Sequence, residues 1–261
     1  MKALLIHSGG FGGRQWRKLG ELLAPTHEVL APDLLGYGNE PWPVGELFHF
    51  RQDVERLAAM LREGGGGDGG GGDGSGGNDS GGNDSGGEPA DIVGHSYGGF
   101  LALQLALAHP ELVRRIAVYD PVAFNVLTAE ERETGFVGVK RTYELPLDEA
   151  WLAAFVDWWN GPGAWQKLPE PTRAAFRQVG WKCSQEVFSL MADRESDYAR
   201  ITAPTLVLGG EKSPAAERTT VERLARVMPH AELHMFEDLG HMGPIVDAER
   251  VNAAIALSLR R

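Results

Sequence analysis

The chain has 261 residues, 43% of them apolar, and sets 25 Lys and Arg against 36 Asp and Glu for a formal charge of −11. That length suits one α/β unit or two smaller domains, and the acidic balance lacks the basic footprint that nucleic-acid binding requires. A single cysteine, Cys183, excludes an internal disulfide and gives no basis for a thiolate metal site.

The N-terminal run KALLI, closed by His7, is too short for a secretory or membrane-spanning segment, so a cytoplasmic protein with no membrane partner is expected. Residues 3–6 read as a buried strand and 28–31, before Pro32-Asp33, as a second. A helix is predicted from about 47 to 62, with Val54, Leu57, Ala58 and Leu61 on one face. Residues 64–87, GGGGDGGGGDGSGGNDSGGNDSGG, hold 15 of the 35 glycines and no apolar side chain. Ordering such a segment costs backbone entropy that no burial offsets, so a flexible insert is expected. Asp68, Asp73, Asn78 and Asn83 recur every five residues, yet a calcium-binding repeat would also need an inward-packing aliphatic residue, which is missing.

A strand at 91–94, a tightly apolar helix at 98–108 and a strand at 113–119 follow. From 122 to 200 the pattern turns to helices rich in aromatics, among them Trp151, Phe155, Trp158, Trp159, Trp165, Phe176, Trp181 and Phe188. Strand 205–209, helix 215–228, strand 232–236 and a C-terminal helix then restore the alternation. This order predicts a mostly parallel, doubly wound α/β sheet built from residues 1–121 and 201–261, carrying the insert at 64–87, with 122–200 as a helical cap.

The segment DIVGHSYGGF at 91–100 joins strand, tight turn and helix at a serine flanked by glycines, in the pattern G-x-S-x-G: Gly94, His95, Ser96, Tyr97, Gly98. Such a turn projects a nucleophilic hydroxyl at the sheet edge, and the helix start behind it favours developing negative charge. A serine hydroxyl needs an imidazole to take its proton. Of eight histidines, His241 lies in a loop after the last strand, on the edge where Ser96 is expected. His7 and His95 share that edge but suit loop and turn architecture. His27, His109 and His230 are expected to be solvated, and His49 and His234 fall inside a predicted helix and strand.

Together with HSGGFGGRQW at 7–16, APDLLGYG at 31–38, GHSYGGFLALQLALAHPELV at 94–113, PTLVLGGEKSP at 204–214 and GHMGP at 240–244, this motif resembles the alpha/beta-hydrolase-fold serine hydrolases, the esterase, lipase and carbon–carbon bond hydrolase group. The resemblance implies Ser96 as nucleophile and His241 as general base. It implies an oxyanion hole from the backbone N–H of Tyr97 and one from the loop His7-Ser8-Gly9-Gly10, Gly9 first and Gly10 as the alternative, Ser8 standing where the family usually has glycine. The family's usual acid position holds Ser213. Asp120, at the end of the strand before Pro121, is the expected acid and Glu211 the alternative.

No His, Cys, Asp and Glu set has metal spacing, and Gly9-Gly10-Phe11-Gly12-Gly13 lacks the Lys-Ser/Thr of a phosphate loop, so neither metal nor cofactor is expected. The tryptophan-rich insertion favours a small-molecule substrate with an apolar part, against a pocket including Gly10, Phe11, Trp158, Trp159 and Met242. The expected activity is hydrolysis of small to medium apolar carboxylic esters through an acyl-enzyme. Cleavage of a carbon–carbon bond beside a ketone and a non-catalytic ligand-binding role are the alternatives. Oligomeric state is left open.

Overall fold

Short aliphatic runs make the sheet. In the computed structural model, which describes residues 1–38, 41–63, 87–135 and 148–260, these runs form six strands: Lys2–Ile6 (β1), Glu28–Leu30 (β2), Ala90–His95 (β3), Val113–Tyr119 (β4), Thr205–Gly210 (β5) and Ala231–Phe236 (β6). They are all parallel, in the order β2-β1-β3-β4-β5-β6. The helices between and after them are Arg17–Leu23 (α1), Phe50–Glu63 (α2), Tyr97–Ala108 (α3), Ala129–Gly135 (α4), Glu149–Asn160 (α5), Ala164–Lys167 (α6), Glu170–Ala192 (α7), Ala215–Val227 (α8), Gly243–Val246 (α9) and Ala248–Leu259 (α10).

Side chains alternate across the pleat. Leu4, Ile6, Ile92, Ile116, Val118 and Val207 face α2, α3 and α8, while Ala3, Leu5, Val93, Ala117, Tyr119 and Leu208 face α1 and α10. Both faces are covered, which is why the strands read as unbroken apolar runs. Helix α3 is buried on every side from Tyr97 to Ala106, and it stops at His109, whose following proline disfavours a further helical turn.

The predicted elements agree with the observed ones apart from a few boundaries. Helix α2 begins at Phe50, because the Gln52 side chain reaches back to accept the His49 N–H at 2.9 Å and closes the helix start there. The C-terminal helix is split: α9 ends before Asp247, whose carboxylate caps α10 by accepting the Arg250 N–H. Helix α1, which the sequence reading passes over, packs Leu19 and Leu23 under the sheet. His27, expected to be solvated, is buried and pairs with Asp91 at 3.0 Å, an aspartate that Arg114 also reaches. The glycine-rich insert lies outside the described residues apart from Gly87, and so does 136–147. The described part of the region between β4 and β5 contains α4 to α7 and no strand.

The chain adds β2 on one side of β1 and β3 on the other. At such a reversal the loops leaving the two strands diverge and open a crevice at the sheet's C-terminal edge. The loops after β1 and β3 therefore carry His7 to Phe11 and Ser96 to the same crevice.

Candidate active site

At the end of β3 the backbone turns sharply. Ser96 has φ 55° and ψ −119°, its N–H donates to Tyr119 O at 3.0 Å, and its carbonyl accepts from Phe100 N. Ser96 and Asp120 (φ 42°) are the non-glycine residues of positive φ among those described. Such backbone costs on the order of 1–3 kcal/mol per residue and persists only where the surroundings enforce it. Here β3, α3 and β1 converge so closely that a Cβ on Gly94 would stand 2.2 Å from Gly98 O, and one on Gly98 2.3 Å from Ile6 O. Those approaches explain why glycines bracket the serine.

The loop after β6 brings His241 to this turn. Its Nε2 faces Ser96 Oγ at 3.0 Å and its Nδ1 faces Asp120 Oδ2 at 3.3 Å, all three side chains being buried. The loop is held by two bonds to its backbone: Tyr119 Oη donates to Gly240 O at 2.9 Å and His95 Nε2 to His241 O at 2.8 Å. With Nδ1–H directed at Asp120, Nε2 is the free base facing the hydroxyl. Burial lowers the His241 imidazole to about 3, so it stands neutral in the resting site.

Asp120 carries three donors: His241, the Ser213 hydroxyl at 2.5 Å on Oδ2, and Gly210 N–H at 3.3 Å on Oδ1. Burial pushes its carboxyl up to about 7 against the downward pull of Ser213, His95 and Gly210. Glu211, the alternative acid, stands apart: it is exposed, with its backbone N–H on Phe236 O. Two residues further along the same turn, Ser213 is the one that reaches the carboxylate.

In the loop after β1, most N–H groups are engaged. Ser8 N–H goes to Gln15 Oε1 at 3.0 Å, Gly10 N–H to Tyr37 Oη at 3.1 Å and Phe11 N–H to Ser8 O at 3.2 Å. Gly10, the alternative donor, is thus occupied, whereas Gly9 lines the cavity beside Ser96. His7 and His95 brace the two loops. His7 Nε2 accepts from Leu34 N–H, and His95 Nδ1 accepts from the Gln15 amide; burial lowers the two rings to about 4 and about 3, so both are neutral.

A cavity of about 210 Å³ opens on Ser96 and His241. Its walls are Phe11, Phe155, Val156, Trp159, Ala164, Leu168, Phe176 and Met242, with Ser8, Asn160 and Thr172 as neutral polar groups. Trp159 stacks on the His241 ring, centroids 3.6 Å apart and planes within 19°. Of the residues the sequence proposed for a pocket, Phe11, Trp159 and Met242 line this cavity. Gly10 and Trp158 are not among the walls: a Cβ on Gly10 would meet Phe176 at 2.4 Å, and Trp158 packs edge-on against Phe124 and Trp159.

The model of the alpha/beta hydrolase family matches residues 3–254. The chain belongs to the alpha/beta hydrolase family. As a member it is 33% identical to lipase LipV of Mycobacterium tuberculosis, over 97% of this chain and 91% of that one. It is 28% identical to a 2-hydroxymuconate semialdehyde hydrolase of Pseudomonas putida, over 95% of this chain and 83% of that one. Among solved structures, a thermophilic esterase from Thermogutta terrifontis shares the fold with a TM-score of 0.67 at 20% identity, covering 100% of this chain and 89% of that one. These similarities make the protein a hydrolase of this fold.

In this hydrolase, several site residues escaped the sequence reading. The WNGPGAW segment turns between α5 and α6, with Asp157 accepting Gly163 N–H at 2.8 Å and Trp165 N–H at 2.7 Å. That clasp sets Trp159 over His241 and Asn160 in the cavity wall. Phe155 and Val156 of α5, Leu168 just after α6, and Thr172 and Phe176 of α7 complete the wall, at helical spacings that also suit plain packing. Among the described residues no group of three or more His, Cys, Asp and Glu could hold a metal ion, and no helix is long and apolar enough to cross a membrane.

Proposed function

We propose that the protein is a serine hydrolase that cleaves carboxylic esters of small to medium apolar substrates through an acyl-enzyme. The observation that carries this reading is the line from Ser96 Oγ through His241 to Asp120, at 3.0 and 3.3 Å, opening on an apolar cavity. Ser96 Oγ attacks the ester carbonyl while His241 Nε2 takes its proton, and Asp120 holds the Nδ1–H tautomer and stabilises the imidazolium. The N–H groups of Tyr97 and Gly9 receive the oxyanion. Collapse expels the alcohol, protonated by His241, and leaves the acyl group on Ser96. Water, activated by the same imidazole, then releases the acid.

Helices α4 to α7 act as the cap over this chemistry. At about 210 Å³ the cavity is smaller than the roughly 300–1,000 Å³ of sites for drug-sized ligands. That limit favours short acyl or small aryl groups. The test is a series of p-nitrophenyl esters of increasing acyl length, with Ser96→Ala as control. A kcat/KM that peaks at short chains and vanishes in the variant supports the proposal; no ester turnover by folded wild type refutes it. The likeness to the Pseudomonas putida hydrolase favours a second reading, cleavage of a carbon–carbon bond beside a ketone. Turnover of a 1,3-diketone with no turnover of esters would select it.

A further inference from the structure

A group of buried charges lies behind the loop after β1 and uses none of the residues assigned to the reaction. Lys182 Nζ on α7 lies 3.2 Å from Asp53 Oδ2 on α2 and 2.8 Å from Glu186 Oε1, one turn further along α7. All three side chains are at most 3% exposed. The ammonium is also boxed by aromatic faces, 3.8 Å from the Phe48 ring centroid, 5.1 Å from Tyr37 and 5.5 Å from Tyr97. Replacing a buried ion pair by apolar residues is often neutral or stabilising, so stability alone is a weak reason for such a cluster.

Its outward bonds supply another reason. Glu186 Oε2 accepts the Tyr37 hydroxyl at 3.0 Å, and Tyr37 Oη in turn accepts Gly10 N–H at 3.1 Å. Asp53 Oδ2 accepts the Tyr97 hydroxyl at 3.0 Å, and Asp53 Oδ1 accepts Leu35 N–H at 3.1 Å. One cluster thus grips Gly10, next to Gly9, and the side chain of Tyr97, while Gly9 and Tyr97 are the residues proposed to receive the oxyanion. Glu186 also backs Gly9 directly, since a Cβ there would stand 2.9 Å from Oε2. The helix that carries Lys182 and Glu186 contributes Thr172 and Phe176 to the cavity wall, so it touches both the substrate space and this loop.

We propose that the Asp53–Lys182–Glu186 cluster sets the geometry of the oxyanion hole through Tyr37 and Tyr97, making these two tyrosines positioning residues for reaction at Ser96. This rests on the serine hydrolase reading. Tyr37 draws Gly10 N–H away from the cavity and fixes the turn that leaves Gly9 N–H aimed inward. Tyr97 is anchored at its far end, which holds the first turn of α3 and its N–H. Hydrogen bonds of this kind act on the transition state, because the donors must already point where negative charge develops.

The test uses the full chain with Tyr37→Phe, Tyr97→Phe, the double variant and Glu186→Gln. The readouts are the rate of fluorophosphonate adduct formation on Ser96, kcat and KM for a short p-nitrophenyl ester, the pH profile of kcat/KM and the melting temperature. Each Phe variant is expected to lower kcat and the labelling rate about tenfold, less than the ~10²–10³ for deleting an oxyanion donor outright. KM and the pH profile's inflection should stay near wild type, while the melting temperature falls by a few degrees because each change leaves buried polar atoms unpaired. Glu186→Gln, whose amide oxygen still accepts the Tyr37 hydroxyl, should keep most of the rate. Wild-type labelling in both Phe variants would overturn the proposal while leaving the serine hydrolase reading intact. So would a loss that appears in KM, in a moved pH inflection, or only in proportion to unfolded protein. Absence of any adduct on folded wild type would overturn both.

Discussion

Ser213 donates its hydroxyl to the same Asp120 oxygen that His241 Nδ1 faces, at 2.5 Å and 3.3 Å respectively. The resemblance to the family puts an acid at position 213. Here that position donates to a carboxylate delivered from the neighbouring strand, because β4 and β5 are adjacent and end at the same edge.

This pairing predicts a pH effect. The Ser213 hydrogen bond favours the Asp120 carboxylate and holds its pKa down against burial, which still pushes it up to about 7. In Ser213→Ala the carboxyl should ionise at higher pH, so the rising limb of kcat/KM moves upward for the Asp120–His241 pair as a unit. A loss of about tenfold at pH 7 that narrows toward pH 9 is expected, in keeping with a hydrogen bond to a charged group. A loss equal at every pH would contradict it.

Glu217 offers a prediction on stability. It is fully buried at the start of α8, neither carboxylate oxygen has a hydrogen-bond partner among the described residues, and burial followed by repulsion from Asp120 raises its pKa well above the usual value. The folded state therefore binds this proton more tightly than the unfolded chain. Stability from that binding is full below about 4.5, the ordinary glutamate value, and is lost as pH rises toward the folded pKa. Glu217→Gln should melt several degrees higher than wild type at pH 8, at roughly 2–4 °C per kcal/mol for a chain of this size. The gap should close near pH 5, and thermal melts at the two pH values read it directly.

Trp159 and Trp158 should separate by function. Trp159→Leu removes the ring stacked on His241 and one wall of the cavity, so KM for a short apolar ester should rise about tenfold, in line with the 1.5–3 kcal/mol of a large apolar contact. Trp158→Leu should lower the melting temperature and raise KM much less than Trp159→Leu, since that ring packs edge-on against Phe124 and Trp159 and does not itself line the cavity. Equal KM effects in the two variants would contradict this assignment.

Asp157→Ala tests the turn that presents Trp159. It removes the acceptor for Gly163 N–H and Trp165 N–H, at a cost of about 1–2 kcal/mol by analogy with a lost helix cap. Activity should fall with KM rather than kcat if the turn serves only to place Trp159, and steady-state kinetics distinguishes the two.

The strands and the turn at Ser96 were legible because their causes are local. Strands buried on both faces read as apolar runs, and Gly94 and Gly98 stand where no side chain fits. That His241 meets Ser96 followed from the rule that loops leaving parallel strands gather on one edge. The preference for Asp120 over Glu211 came from a strand end at the right edge, but the orientation of the two side chains was not legible, since it depends on which way a backbone turns: Asp120, with φ 42°, directs its carboxylate inward, and Glu211 lies outside. The charged cluster was hidden for a different reason. Lys182 and Glu186, four apart on α7, look like an exposed helical pair, and their burial arises only from packing against α2 and the loop after β2. Tyr37 and Glu186 are 149 residues apart, beyond any periodicity. Asp53 left a local sign, an acid on the stripe with Leu57 and Leu61, that could have marked it.

The wide separation of Ser96 and His241, 145 positions along the chain, bears on synthesis. As the chain emerges from a ribosome, β1, β3 and α3 become available early, whereas β6 and the loop behind it come late. On the proposed assignment a nascent chain carries Ser96 through most of its elongation without His241, and the pair forms only once that loop docks on the sheet. Under the ester-hydrolase proposal, onset of turnover of a fluorogenic ester then marks this late step of folding.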